Sequence, residues 1–233
     1  MKSMKAFTLL TIAASALALS AAPALAQNAA APKEKTAQPA EKKVEKKVEK
    51  KAEKHADGKF AVGSAAPDFS LLDTEGKEHK LSSDQGKIVV LTWFNPECPF
   101  VVKHFEKNKT FVDLYKKYHE KVQFYAINSG AAGETGSGKE RNAKARKDWG
   151  IDFPVLLDET GATGKAYTAR NTPFTVVIGA DGKVAYAGAP DDDNSQNLGK
   201  TNYVAKALDE LLAGKPVTTS STKPYGCAVK YKN

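Results

Sequence analysis

Cys98 stands in the run Trp93-Phe94-Asn95-Pro96-Glu97-Cys98-Pro99-Phe100-Val101, between two prolines and just after an unbroken apolar stretch. If that stretch is a buried strand handing over to a helix, the cysteine meets the positive end of the helix dipole and unpaired backbone N–H groups. Both favour thiolate. Thiolate is the attacking form of the side chain, so the position suits nucleophilic attack on a disulfide or a peroxide. Pro99 has no N–H to lose and fits the first helical turn. Glu97 works the other way, because a nearby carboxylate disfavours a second negative charge. The other cysteine, Cys227, lies near the C-terminus in Tyr225-Gly226-Cys227-Ala228-Val229-Lys230-Tyr231.

Two other chemistries compete. Gly133-Glu134-Thr135-Gly136-Ser137-Gly138-Lys139-Glu140 comes within one residue of a phosphate-binding loop, and Val155-Leu156-Leu157-Asp158-Glu159 mimics the strand acid that would hold magnesium. The loop needs a Ser or Thr hydroxyl where Glu140 stands, and Glu140 adds negative charge beside the phosphates. The glycines are better read as a plain loop. Thiolates from both cysteines with a histidine would suit Cu(I), which keeps copper handling as an alternative. His104 is six residues past Cys98 and is expected on a different helical face. His55, His79 and His119 are expected at the surface. The thiol chemistry itself calls for no cofactor.

The surrounding pattern is that of one alternating α/β domain from Phe60 onward. Ile88 to Phe94 is a continuous apolar run, as in a strand buried on both faces. Val101, Val102 and Phe105 then recur at helical spacing, and Phe111, Val112, Leu114, Tyr115 and Tyr118 continue it. Strands are expected at Val122 to Ile127, Phe153 to Leu157, Phe174 to Ile178 and Lys183 to Ala187, the last two joined by an Asp181-Gly182 turn. Helices are expected at Arg141 to Trp149, Gly161 to Thr168 and Tyr203 to Leu212. Alternation ending in a hairpin predicts a mixed sheet.

The chain has 233 residues with 35 basic and 27 acidic side chains, a formal charge of +8. That length can bury a sizeable core, and the composition excludes collagen, a disulfide-dense miniprotein and disorder throughout. Residues 1–26 read as an export leader, with Lys2 and Lys5, an apolar run from Phe7 to Ala22, and Ala24-Leu25-Ala26 as a cleavage site. Residues 27–59 form a polar tether in which Val-Glu-Lys-Lys repeats and no core can form. Ten lysines against six acids give the tether +4, the leader adds +2, and 23 basic against 21 acidic residues leave the remainder at +2. The domain carries no evident charge for nucleic acid. The tether is read as a solvated spacer, with contact to anionic membrane or cell wall as the other reading. A periplasmic, oxidisable protein is the expectation.

Within this frame several segments resemble the redoxins of the thioredoxin fold, the alkyl hydroperoxide reductase/thiol-specific antioxidant and peroxiredoxin-like proteins. They are Gly63-Ser64-Ala65-Ala66-Pro67-Asp68-Phe69, Asp73 to Lys77, Leu81-Ser82, Gly86-Lys87, Phe153 to Thr160, Lys165-Ala166-Tyr167, Thr172-Pro173-Phe174 and Asp181-Gly182-Lys183. The resemblance covers residues 62 to 213. It implies a three-layer α/β sandwich, a mixed central sheet flanked by helices, with 60–213 as the domain and 214–233 as a tail. It also implies that Cys98 is the redox cysteine, with Thr172 and a cis Pro173 against its sulfur. Thioredoxins place a second cysteine where this chain has Val101, and peroxiredoxins a threonine where it has Asn95. Cys98 therefore has no local partner. Asn95 is a candidate hydrogen-bond donor, and Arg170 a candidate for stabilising thiolate or a solvated loop residue. Tyr225-Gly226-Cys227 resembles the C-terminal Gly-Cys segment of a peroxiredoxin-like branch. There Cys227 would pair with Cys98 at the end of a flexible arm from Thr218 to Pro224, and Gly226 would let the backbone turn close by. The expected function is an exported thiol oxidoreductase acting on a peroxide or a disulfide and reset by an external thiol donor. The alternatives are a binding module with a structural disulfide, or a copper-handling protein.

Overall fold

The structure, a computed structural model, describes residues 60–232. The expected leader and tether lie outside the described residues.

The apolar run expected to be a doubly buried strand is β3, Ile88–Trp93, with all six residues buried. Its neighbours explain why. It pairs in parallel with β4, Val122–Asn128, and antiparallel with β7, Thr175–Ile178, so both edges and both faces are covered. β4 in turn pairs in parallel with β5, Val155–Leu157. β1, Ser70–Asp73, and β2, Glu78–Lys80, extend that side antiparallel, and β8, Val184–Gly188, closes the other. The sheet runs β2-β1-β5-β4-β3-β7-β8 and is mixed, as expected. Strands β1 and β2 carry too few apolar residues to announce themselves by periodicity.

Alternation along each strand sorts the core into two layers. Ile88, Val90, Phe124, Ala126 and Val177 face one side. They meet Val101 of α1, Pro99–Val102, Phe111 of α2, Thr110–Tyr118, Trp149 of α3, Lys139–Trp149, and Leu208 of α5, Tyr203–Leu212. Val89, Leu91, Trp93, Ile127 and Val176 face the other, against Phe69, Tyr167, Phe174 and Ala166 of α4, Ala162–Ala166. This is the three-layer sandwich.

The helical run after Cys98 is not continuous, contrary to its apolar spacing. Residues Lys103–Lys107 form a π turn, closed by the Asn108 N–H donating to the Lys103 carbonyl at 3.1 Å, and Lys109 takes a left-handed φ of 55° before α2 begins. A π turn is the device that rotates side chains off the helical face their spacing implies. Here it leaves Lys103 and His104 fully buried.

The C-terminal segment differs most from expectation. The Thr218–Pro224 stretch is docked rather than a free arm. The Ala187 N–H donates to the Ser220 carbonyl at 3.1 Å, the Thr222 N–H to the Ala187 carbonyl at 3.3 Å, and the Thr222 hydroxyl accepts from the Ala189 N–H at 2.9 Å. The tail therefore lies along the outer edge of β8. It then crosses to a two-stranded ribbon, in which β9, Cys227–Ala228, pairs antiparallel with β6, Asn171–Thr172.

Candidate active site

Cys98 caps the N-terminus of α1, with Pro99 at its first position, the arrangement expected from the two residue types. Its carbonyl accepts from the Val102 N–H and its N–H donates to the Asn95 carbonyl, both at 3.0 Å. The residue is only 2% exposed. Its Sγ donates to the Thr172 carbonyl at 3.1 Å, and the Thr172–Pro173 peptide is cis. Both cysteines are free thiols, with their sulfurs 2.6 Å apart. Two residues separated by 129 positions thus meet at one point.

Gly226 makes the approach possible. Its φ of 109° lies in the region that side chains avoid, and a Cβ there would drive into the Thr172 carbonyl oxygen. Its own carbonyl accepts from the Asn171 amide at 3.1 Å. The Val229 N–H donates to the Arg170 carbonyl at 3.0 Å, which extends the ribbon. Burial pushes the Cys227 thiol up to about 12, and the hydrogen bond and charge of Cys98 push the same way, while Lys230 and the Phe100 backbone pull it down. Cys227 therefore keeps its proton near neutral pH.

The supporting residues named from sequence fall in three places. The Thr172 carbonyl stands at the Cys98 sulfur, and Pro173 follows it across the cis peptide. Asn95 holds the loop instead: its amide donates to the Thr135 carbonyl and its Oδ1 accepts from the Glu97 N–H, both at 2.9 Å. Arg170 is exposed and meets the tail through its backbone. Glu97 is turned outward onto Arg141, 2.5 Å away, which offsets the negative charge next to Cys98. The glycine-rich loop is tied down by protein groups, with Asn128 donating to the Gly136 carbonyl at 2.8 Å and to Asn142 at 2.9 Å.

Residues 61–205 match the sequence model of the family described as Redoxin. The chain belongs to the redoxin family. Among curated relatives of this redoxin, Thiol-disulfide oxidoreductase ResA of Geobacillus thermodenitrificans (strain NG80-2) is 34% identical over 126 residues, 53% of this chain and 67% of that protein. A solved structure of an uncharacterized conserved protein from Geobacillus kaustophilus is 34% identical with a TM-score of 0.67, covering 74% of this chain and 93% of that one. A hypothetical protein from Sinorhizobium meliloti 1021 is 28% identical with a TM-score of 0.66, covering 75% and 97%. The family match ends before the tail that carries Cys227.

The redoxin's sequence did not disclose a buried polar cluster beside the site. Lys103, 0% exposed, lies 3.3 Å from Asp191, 4% exposed, and donates to the Asp193 carbonyl at 2.6 Å. The Tyr225 hydroxyl donates to Asp191 and lies 2.8 Å from His104 Nε2. Burial, with the Lys103 charge in support, drives His104 down to about 4 although Asp191 opposes it, so the ring is neutral. His104 Nδ1 is 3.2 Å from the Thr110 hydroxyl. With both ring nitrogens engaged, His104 is not free to join the thiols around copper. Among the described residues no cluster of three or more His, Cys, Asp or Glu is placed to hold a metal. His79 is a further correction: its side chain is 10% exposed and contacts Asp73 at 2.8 Å, while His119 is at the surface. His55 lies outside the described residues.

Proposed function

We propose that this redoxin is an exported, periplasmic thiol-disulfide oxidoreductase in which Cys98 and Cys227 exchange a disulfide with a protein or small-molecule substrate. The observation that carries the reading is the meeting of the two sulfurs beneath the Thr172 carbonyl. The named activity of the Geobacillus relative supports it, and the leader supports export. Engagement of the Asn95 amide with the Thr135 carbonyl, at the position where peroxiredoxins carry a threonine, favours a disulfide over a peroxide.

Cys98 is too buried to meet a substrate while the tail is docked, so the cycle begins with the tail lifted. The Cys98 thiol gives its proton to solvent, and its thiolate attacks one substrate sulfur, forming a mixed disulfide, breaking the substrate's S–S bond and releasing the first substrate thiolate, which takes up a proton from solvent. The Cys227 thiol passes its proton to the departing substrate thiolate and attacks the Cys98 sulfur, releasing the second substrate thiol. The substrate gains two electrons and two protons, the protein is left with a Cys98–Cys227 disulfide, and an external dithiol restores it.

Mass spectrometry after addition of glutathione disulfide tests this. The wild type is expected to form the Cys98–Cys227 bond, Cys227→Ser to accumulate glutathione on Cys98, and Cys98→Ser to lose exchange. Thiols inert in all three, or a bond that dithiols do not reduce in the folded protein, would overturn the reading in favour of a binding module. Copper held one-to-one in a thiol-dependent way would favour metal handling.

A further inference from the structure

Strand β9 has two residues, and Cys227 is partly buried and held from its C-terminal side, where the Ala131 N–H donates to the Lys230 carbonyl at 2.8 Å and the Tyr231 hydroxyl to the Ala169 carbonyl at 2.5 Å. A second hold on its sulfur lies on the N-terminal side. Two residues upstream, the Tyr225 ring tilts against Phe100 with centroids 5.6 Å apart, and Lys103 Nζ sits 5.1 Å over it. Its hydroxyl ends among Asp191, His104 and Lys103, the last at 3.4 Å. Tyr225 and Asp191 come from different parts of the chain, while Lys103 and His104 follow Cys98 on one helical run.

We propose that Tyr225 is a positioning residue for Cys227, its hydroxyl seated in the Lys103–His104–Asp191 socket so that Cys227 is delivered to Cys98. The inference rests on the thiol-disulfide reading above. A buried Lys–Asp pair is a poor source of net stability, because removing both charges from water costs about as much as their attraction returns. Its value here is directional. The socket presents a carboxylate and a neutral imidazole to one hydroxyl, and His104 Nε2 has Tyr225 as its hydrogen-bond partner. A tail displaced from the socket leaves that nitrogen without its partner, while Asp191 Oδ1 keeps the Asp193 N–H at 3.3 Å and Lys103 Nζ at 3.4 Å. The socket also moves with Cys98, because the π turn belongs to the same run as α1. With Gly226 alone between Tyr225 and Cys227, seating the ring restricts the sulfur to a small volume beside Cys98. That raises the local concentration of the resolving thiol.

The experiment is equilibration of the whole protein against glutathione redox buffers, comparing wild type with Tyr225→Phe, which keeps the ring and removes the hydroxyl. The equilibrium constant for forming the Cys98–Cys227 disulfide is expected to fall about tenfold, the worth of a hydrogen bond to a charged group. That raises the reduction potential by about 30 mV. Hydrogen exchange at the β3 and β4 amides reads core folding separately and is expected to keep its protection. An unchanged equilibrium constant overturns the inference while leaving the exchange reading intact. A fall accompanied by lost protection of β3 and β4 overturns it as well, since the residue would then be holding the fold. A wild type that forms no Cys98–Cys227 bond overturns both.

Discussion

Cys98 is carried by the sheet and Cys227 by the tail, and the two regions are held by different forces. Around Cys98 the restraint is apolar burial: Phe94, Val101, Phe105 and Phe111 surround the strand-to-helix junction and are almost wholly out of water. Around Cys227 it is a short ribbon, a glycine, a tyrosine hydroxyl in a polar socket and only partly buried apolar contacts, those of Cys227 and Val229 at the edge of the core. The difference teaches which partner can move. Burial over many side chains fixes Cys98, whereas a few hydrogen bonds, each worth about 1 kcal/mol net, leave Cys227 releasable.

That contrast can be broken experimentally. The largest effect is expected from Phe105→Ala, which empties a fully buried site between Phe94 at 4.9 Å and Phe111 at 4.7 Å between ring centroids. Urea unfolding should show a loss of about 3–5 kcal/mol. Gly226→Ala is expected to act on closure instead. Its Cβ would force the ribbon off Thr172, slowing disulfide formation by on the order of tenfold while the core melts near the wild-type temperature. If Gly226→Ala lowered unfolding stability as much as Phe105→Ala, the tail would be part of the core and the contrast would fail.

The smallest effect sharpens the comparison through pH. Burial raises the Cys227 thiol from 9.0 to about 12, so the folded protein holds this proton more tightly than the unfolded chain does. Stabilisation from that source is complete below pH 9 and is lost as pH rises toward 12. Iodoacetamide labelling of Cys227, followed by mass spectrometry, should stay slow through pH 9 and accelerate above it. Labelling that climbs as for an ordinary thiol near pH 9 would mean that the tail leaves Cys227 open to water.

The same division decides what could be read from sequence. Ile88 to Phe94, Pro99 and Asp181-Gly182 declare themselves because a strand buried on both faces, a first-turn proline and a tight turn each demand particular residue types. Tyr203–Leu212 was legible to the residue from its amphipathic spacing. Lys103 and His104 were not, since a charged residue in a helical run normally faces water and only the π turn reverses this. Tyr225 carries no periodic signal. A two-residue strand such as β9 has no pattern, and its pairing with Asn171–Thr172 depends on contacts far apart in the chain. Asn95 could be placed beside Cys98 by position, but the partner that engages it, the Thr135 carbonyl, is 40 residues away.

The docking of Ser220 to Thr222 along β8 has a consequence for behaviour in company. β8 is the last strand of its sheet, and its outward N–H and C=O groups would otherwise offer a template for pairing with another molecule. The segment that delivers Cys227 also covers part of that row through Ala187. Lifting the tail beyond Thr222 would therefore uncover Cys98 and an unpaired strand edge together, which would couple the proposed exchange to a hazard of self-association. Separate holds at Thr222 and at Tyr225 allow the second to release while the first keeps the edge sealed.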